Sequence, residues 1–310
     1  MLSERSGGRV AFFCNSGTEA SETAIKLARK WGHTHGGPEK HQILTFERSF
    51  HGRTMGALSA TAQTRFQQGF EPVLPGFTYL PFNDLEAVKR AISPATCAVY
   101  VEPVQGESGI YPATPEFMTG LAELCAKNQV LFMVDEVQTG FGRTGTFWAY
   151  EQYGVEPDVV TTAKALAGGL PIGACMAKPE CAALVPGDHG CTFGGNPLSC
   201  AAAVAALQAL DENGCVENAA KQGALLKQRL QKLVPDKLTE VRGLGLMVGI
   251  DLAEPKAKAV FDACLENGLV INPVGDTILR LLPPVIVTEA QANEGASILE
   301  GAIRAAAPLK

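Results

Sequence analysis

Val130-Leu131-Phe132-Met133-Val134-Asp135-Glu136-Val137-Gln138-Thr139-Gly140 is an apolar run closed by an acid. Further on, Asp158-Val159-Val160-Thr161-Thr162-Ala163-Lys164-Ala165-Leu166-Ala167-Gly168-Gly169 is a second β-rich run closed by a lone lysine. Strands that are apolar throughout belong where both sheet faces are covered, which is the situation in a parallel sheet flanked by helices. Val130 to Val134 is therefore expected as a central strand, with Asp158 to Thr162 and Gly173 to Ala177 beside it.

The same texture extends in both directions. Val10 to Cys14, Ile43 to Phe46 and Cys97 to Val101 are expected strands. Between them, Thr18 to Trp31 carries Ala20, Ala24, Leu27 and Trp31 at helical spacing, Leu85 to Ile92 is a helix candidate, and Pro115 to Asn128 opens with a proline suited to a first helical turn. Alternating strands and helices predict an α/β fold with a mostly parallel sheet. A long alanine-rich helix, Pro197 to Leu210, then ends the pattern. Helix Ala219 to Leu233, strand Val241 to Leu252, helix Pro255 to Asn267 and strand Ile278 to Val287 suggest a smaller α+β domain. The expected division is residues 1–208 for the large domain and 209–310 for the small one.

A net charge of -6 and 46% apolar content describe an ordinary globular chain with no basic patch, which argues against nucleic acid as a partner. No apolar run reaches membrane-spanning length, and the first residues lack the apolar core of a signal peptide. The nine cysteines are scattered without Cys-x-x-Cys spacing, which points to a reducing compartment rather than to disulfides or a zinc site.

Lys164 follows small residues and precedes two glycines that let backbone approach a ligand. Partial desolvation there is expected to favour its neutral, nucleophilic amine. Asp135 closes a strand where open parallel sheets collect their ligands. A lysine to hold an aldehyde and an acid to hold a pyridinium nitrogen together suit pyridoxal 5'-phosphate. Taken alone, Asp135 reads more readily as a strand-end cap, and Glu136 is expected to point the other way by strand alternation. Asn15-Ser16-Gly17-Thr18-Glu19 joins a strand to a helix start, which is either a phosphate site or a simple N-cap with Ser16 or Thr18 as the cap. Phe50 could lie on a ring and Arg53 could fork onto a carboxylate, although each is also an ordinary core or surface residue. Gly243, Gly245 and Gly249 miss the dinucleotide fingerprint, which weakens a nicotinamide-binding alternative. His33, His35 and His41 are expected in a polar loop without a metal.

In order, Cys-Asn-Ser-Gly-Thr-Glu-Ala (14–20), Ser-Phe-His-Gly-Arg-Thr (49–54), Val-Glu-Pro-Val-Gln-Gly-Glu (101–107), Val-Asp-Glu-Val-Gln-Thr-Gly (134–140), Ala-Lys (163–164), Thr-Phe-Gly-Gly-Asn-Pro-Leu-Ser-Cys-Ala (192–201) and Leu-Arg-Leu-Leu-Pro-Pro (279–284) resemble the class III, ornithine-type aminotransferases of fold type I. The resemblance runs from about Val10 to the C-terminus and is strongest to the members that act on acetylornithine. It implies a seven-stranded-type sheet and a homodimer with shared active sites. It makes Lys164 the Schiff-base lysine and proton carrier, and Asp135 the partner of the pyridinium nitrogen. Phe50 and Val137 would flank the ring, Gln138 would approach its phenolic oxygen, and Gly17 and Thr18 would bind the phosphate. Ser16, His51 and Glu102 join the implied cofactor set, and Thr192 would reach the neighbouring subunit's phosphate. Arg53 and Arg280 would hold substrate carboxylates, with Glu107 pairing with Arg280 when the other substrate is bound.

The segment Ala165-Leu166-Ala167-Gly168-Gly169 departs from the family's usual Gly-Leu-Gly-Gly-Gly. The chain also starts where the family already has an N-terminal segment, so part of the small domain is expected to be missing. The implied reaction is amino-group transfer from N-acetylornithine to 2-oxoglutarate in arginine biosynthesis. Ornithine, succinylornithine and 4-aminobutyrate are the alternative amines. A truncated, non-catalytic homologue that only binds the cofactor is the other alternative. The expected location is the cytoplasm, or a mitochondrial or plastid matrix if a targeting segment lies upstream.

Overall fold

The computed structural model describes residues 1–306 and divides the chain into two compact units. The first comprises Met1–Pro103, Ala113–Gly140 and Trp148–Ala209, and the second comprises Val104–Pro112, Phe141–Phe147 and Leu210–Lys310.

The first unit is built on a seven-stranded sheet in the order Val10–Cys14, Gly173–Ala177, Val159–Thr162, Leu131–Asp135, Thr96–Val101, Gln42–Phe46, Phe77–Leu80. The last five of these pair in parallel, and only Gly173–Ala177 runs against its two neighbours. The central strands Thr96–Val101 and Leu131–Asp135 are buried at every position, which is why they are apolar without alternation. Helix Gly17–Gly36 covers one stretch of the sheet through Ala24, Ile25, Leu27, Ala28 and Trp31. Phe46, Phe82 and Phe117 form an edge-to-face aromatic cluster, with Phe46 and Phe117 rings 5.2 Å apart. Parallel strands of one sheet end on one side, so Cys14, Phe46, Val101, Asp135 and Thr162 all deliver the chain to the same edge.

The second unit holds a four-stranded antiparallel sheet, in the order Leu238–Leu244, Met247–Leu252, Ile278–Leu281, Asn272–Val274, with helices Cys215–Gln231, Ala257–Glu266 and Glu289–Ala305. Two expectations are corrected here. Val241 to Leu252 is not one strand but a tight hairpin, because Gly245 takes a left-handed conformation and reverses the chain. The strand expected over Ile278 to Val287 stops at Leu281, ahead of Pro283 and Pro284, which cannot donate to a ladder. In the first unit, His33 and His35 lie in the last turns of helix Gly17–Gly36 rather than in a loop, with His35 stacked on Trp31 at 4.4 Å. Among the described residues, no group of His, Cys, Asp or Glu is arranged to hold a metal ion. Among the same residues, no helix is long and apolar enough to cross a membrane.

Candidate active site

Asp135 is the centre of the polar cluster at the strand ends of the first unit, and its side chain is buried. Its Oδ2 accepts from His51 Nδ1 at 2.8 Å and from the Tyr100 hydroxyl at 3.1 Å. Its Oδ1 accepts the Val137 N–H at 3.0 Å. A carboxylate oxygen has capacity for two donors, so Oδ1 retains a lone pair for one more. Because His51 Nδ1 carries its proton toward the acid, Nε2 is the acceptor nitrogen, and it is buried without a hydrogen-bond partner among the described residues. The His51 ring stacks on Tyr100 with centroids 4.1 Å apart.

Helix Gly17–Gly36 starts at this edge. Ser16 is its N-cap and accepts from the Glu19 N–H at 3.3 Å, while Glu19 Oε2 reaches back to the Asn15 N–H at 2.7 Å. The capping reading and the phosphate reading are compatible: the cap uses the Ser16 side chain, and a helix start offers further N–H groups and a positive dipole end to an anion. Burial opposes the charge of Glu19, but hydrogen bonds from Asn15 and Ser16 more than offset it and hold its carboxyl below the ordinary range. Gly17 sits so close to Val137 that a Cβ would fall 2.8 Å from its Cγ1, and 3.6 Å from the Cβ of Ala163. The helix start, Val137 and the residue before Lys164 are therefore one neighbourhood.

The loop after strand Gln42–Phe46 is tied to the same place. Thr18 Oγ1 receives the N–H groups of Arg53 and Thr54, each at 3.2 Å, and Gly52 makes room for it with φ 136°. Glu102 is buried and accepts the Phe50 N–H at 2.9 Å, and Thr61 Oγ1 accepts that of His51 at 2.9 Å. The Arg53 guanidinium lies over Phe66 at 4.0 Å and over Phe50 at 5.5 Å, so its plane is held by two rings. Val137 and Gln138 are half-buried on the turn after Asp135.

Lys164 opens a short 3-10 turn at the end of strand Val159–Thr162, the strand that pairs Thr161 with Asp135. Its φ of 40° is left-handed, an uncommon conformation for a non-glycine residue and one that costs energy unless its surroundings impose it. Within this chain Lys164 is exposed, whereas Ala163 before it is buried. Thr192 is also exposed, on a cleft of about 490 Å³ shared with Asn15, Glu19, Glu22 and His189.

In the second unit, Arg280 Nη1 donates to the Gly106 carbonyl at 2.7 Å and to Glu107 Oε2 at 3.2 Å, and its Nε donates to Asn272 Oδ1 at 2.8 Å. Arg280 and Glu107 thus form an ion pair with the carboxylate about one-third exposed. Arg242 is buried against Asp251 and the carbonyls of Gly109 and Ile110, where it fixes the segment that carries Glu107.

Sequence reasoning missed Tyr100, Thr161, Ser21 and the anchoring of Glu136. Tyr100 stood in a run read only for hydropathy, yet a hydroxyl in a central strand needs a partner when buried, and that was the available signal. Glu136 accepts from Thr139 Oγ1 and from the Tyr150 N–H at 2.9 Å. Burial pushes its carboxyl up to about 7 against those hydrogen bonds, with the charge of Asp135 adding to the rise.

The chain matches the aminotransferase class-III family over residues 1–303, and it belongs to that family. It is 47% identical over 302 residues to the acetylornithine aminotransferase of Caldanaerobacter subterraneus subsp. tengcongensis, covering 97% of this chain and 77% of that one. Its fold superposes on the ornithine aminotransferase of Toxoplasma gondii ME49 with a TM-score of 0.94 at 32% identity, over 98% of this chain and 75% of that one. It likewise superposes on the acetylornithine aminotransferase of Elizabethkingia anophelis with a TM-score of 0.85 at 36% identity, over 98% of this chain and 76% of that one.

Proposed function

We propose that this chain is a pyridoxal 5'-phosphate-dependent transaminase that moves the terminal amino group of N-acetylornithine to 2-oxoglutarate. The observation that carries the substrate is the 47% identity to an acetylornithine aminotransferase across 97% of the chain. The residues present fit the cofactor. A buried acid keeps one oxygen lone pair, a capped helix start faces the same neighbourhood, and Gly17 removes the side chain that would fill the space beside Val137.

When bound, the cofactor supplies an aldehyde that captures amines and a ring that draws electrons from the captured carbon. Asp135 would hold the protonated ring nitrogen and so keep the ring electron-poor. Gly17 and Thr18 would hold the phosphate with helix-start N–H groups, Phe50 and Val137 would flank the ring, and Gln138 would serve its phenolic oxygen. Ser16, His51 and Glu102 support these positions through the cap, the Asp135 hydrogen bond and the Phe50 N–H. Lys164 would provide the tethering amine, and the same amine would carry the proton to and from the substrate carbon. Such general acid–base catalysis contributes roughly 10²–10⁴-fold.

Arg53 and Arg280 are the carboxylate-binding cations of this reading, and Glu107 is the internal competitor of Arg280 when the substrate brings no second carboxylate. A homodimer follows from the role of Thr192 at a neighbouring phosphate. Phe193, and Leu198 and Val204 on helix Pro197–Glu212, supply exposed apolar surface for such a partner. A cytoplasmic location suits nine cysteines that are all free thiols.

The test is spectroscopic. Purified protein loaded with pyridoxal phosphate should lose its visible band on addition of N-acetylornithine and regain it with 2-oxoglutarate. Faster reaction with ornithine, succinylornithine or 4-aminobutyrate would move the assignment to that amine. A band indifferent to every amine would leave a cofactor-binding homologue without turnover.

A further inference from the structure

We propose that Tyr100 is a positioning residue for the reaction: its hydroxyl, acting through Asp135, sets how strongly that acid draws on the proton of the cofactor's ring nitrogen. This inference rests on the assignment of Asp135 as the partner of that nitrogen.

Tyr100 is fully buried on strand Thr96–Val101, adjacent to the strand that ends in Asp135. Three oxygens surround its hydroxyl: Asp135 Oδ2 at 3.1 Å, Ser21 Oγ at 3.0 Å and Thr161 Oγ1 at 2.8 Å. A phenol has one proton to give and two lone pairs to fill. Asp135 can only accept, and as the charged acceptor it makes the strongest bond, so the proton belongs on the line to Oδ2. Ser21 and Thr161 then donate to the phenol oxygen and complete its valence. The result is a directed chain from two alcohols through a phenol to a carboxylate, in which each donor strengthens the next.

The hydroxyl has no packing purpose of its own. A phenylalanine would fill the same space and stack equally on His51, without the cost of burying a polar group. Burial holds the Tyr100 hydroxyl far above its ordinary range, and the charge of Asp135 adds to this, so it remains a permanent donor. Around the pair, the other titratable groups are His51 on Oδ2, Glu136 next in the chain and Cys175, which pairs with Thr161 on the strand beyond it. Tyr100 and His51 share Oδ2, which leaves Oδ1 with the Val137 N–H and one open position. Removing a donor concentrates negative charge on the carboxylate, and that field stabilises positive charge on the bound ring system.

The decisive measurement is the pH at which the visible absorption of the bound cofactor changes. Tyr100→Phe should raise this midpoint by about half a unit, as a weakened hydrogen bond to a charged group would. Site-specific replacement of Tyr100 by 3,5-difluorotyrosine, which keeps the ring and donates more strongly, should lower it. Midpoints that move in the same direction, or that do not move, would overturn the proposal. If Tyr100→Phe fails to fold, the fluorinated protein decides alone: a lower midpoint supports the proposal, and an unchanged or higher one overturns it. Parent protein that shows no cofactor band would overturn the assignment of Asp135 together with the role of Tyr100, whereas a normal parent with unmoved variants rejects Tyr100 only.

Discussion

His51 donates from Nδ1 to Asp135 Oδ2 across 2.8 Å, and both side chains are buried. The bond joins the loop after strand Gln42–Phe46 to the end of strand Leu131–Asp135, and it fixes the imidazole tautomer. Replacing His51 with Ala removes one of the two donors on Oδ2 and opens a cavity behind the acid. The cavity lets the carboxylate turn away from the ring nitrogen, and this loss of orientation outweighs the gain in charge on the acid, so cofactor affinity should fall about tenfold, the scale of a lost hydrogen bond to a charged group. Titration of the cofactor-free protein with pyridoxal phosphate measures this, and parent-like affinity would count against the pairing as a support of the site.

Lys164→Ala should abolish covalent attachment while leaving reversible cofactor binding. Turnover should drop by at least about 10²-fold, because the proton carrier is lost with the tether. Borohydride reduction followed by mass analysis reports the attachment, and stopped-flow mixing with N-acetylornithine reports the rate. Cofactor still fixed to the variant after reduction would assign the tether to another lysine.

Glu107→Gln removes the carboxylate that pairs with Arg280, the internal competitor in the proposed reading. The KM for 2-oxoglutarate should fall and that for the amine donor should rise, by a factor of about five in opposite senses, since an exposed-side ion pair of this kind is worth on the order of 1 kcal/mol. Steady-state kinetics with each substrate varied separately tests it. Parallel changes in both constants would exclude the exchange.

Glu136 gives the fold a pH dependence of defined sign. Its carboxyl titrates near 7 in the folded protein against an ordinary value of 4.5, so the unfolded chain releases its proton first. The folded state therefore loses stability as pH rises from about 4.5 to 7, by on the order of 3 kcal/mol, and the loss is complete above that range. Glu136→Gln, still able to accept from the Tyr150 N–H, should flatten this part of the profile. Urea melts at pH 5 and pH 7 compare the slopes, and an equally steep variant would remove Glu136 as the cause.

Gly223→Ala should destabilise the second unit by about 1–3 kcal/mol. A Cβ there would fall 1.9 Å from the Gly245 carbonyl oxygen, and backbone in a tight hairpin cannot yield as a side chain can. Denaturant unfolding followed by tryptophan-independent circular dichroism reads the loss, and parent stability would mean that the helix and hairpin separate easily.

Much of the first unit was legible because central parallel strands must be apolar on both faces. Leu131–Asp135 and Val159–Thr162 therefore announced themselves as uninterrupted runs, one ending in Asp135 and the other followed closely by Lys164. The second unit was harder, because a two-residue reversal at Gly245 leaves almost no mark in a hydropathy pattern. At the proposed site, residue type and position single out Asp135 and Lys164, and the loops carrying Gly17 and Phe50, as candidates. The left-handed turn at Lys164 is not legible in this way, because an ordinary lysine would avoid it.

Hydropathy and residue type, which act along the chain, determined the strands, the helices and the chemistry on offer at their ends. Register across the sheet decided what those residues touch. Tyr100 lies far from Asp135 and Thr161 in sequence, and Ser21 lies farther still, yet one phenol oxygen meets all three within 3.1 Å. Hydrogen bonds act only over such distances, and only tertiary folding brings residues that far apart in the chain into reach.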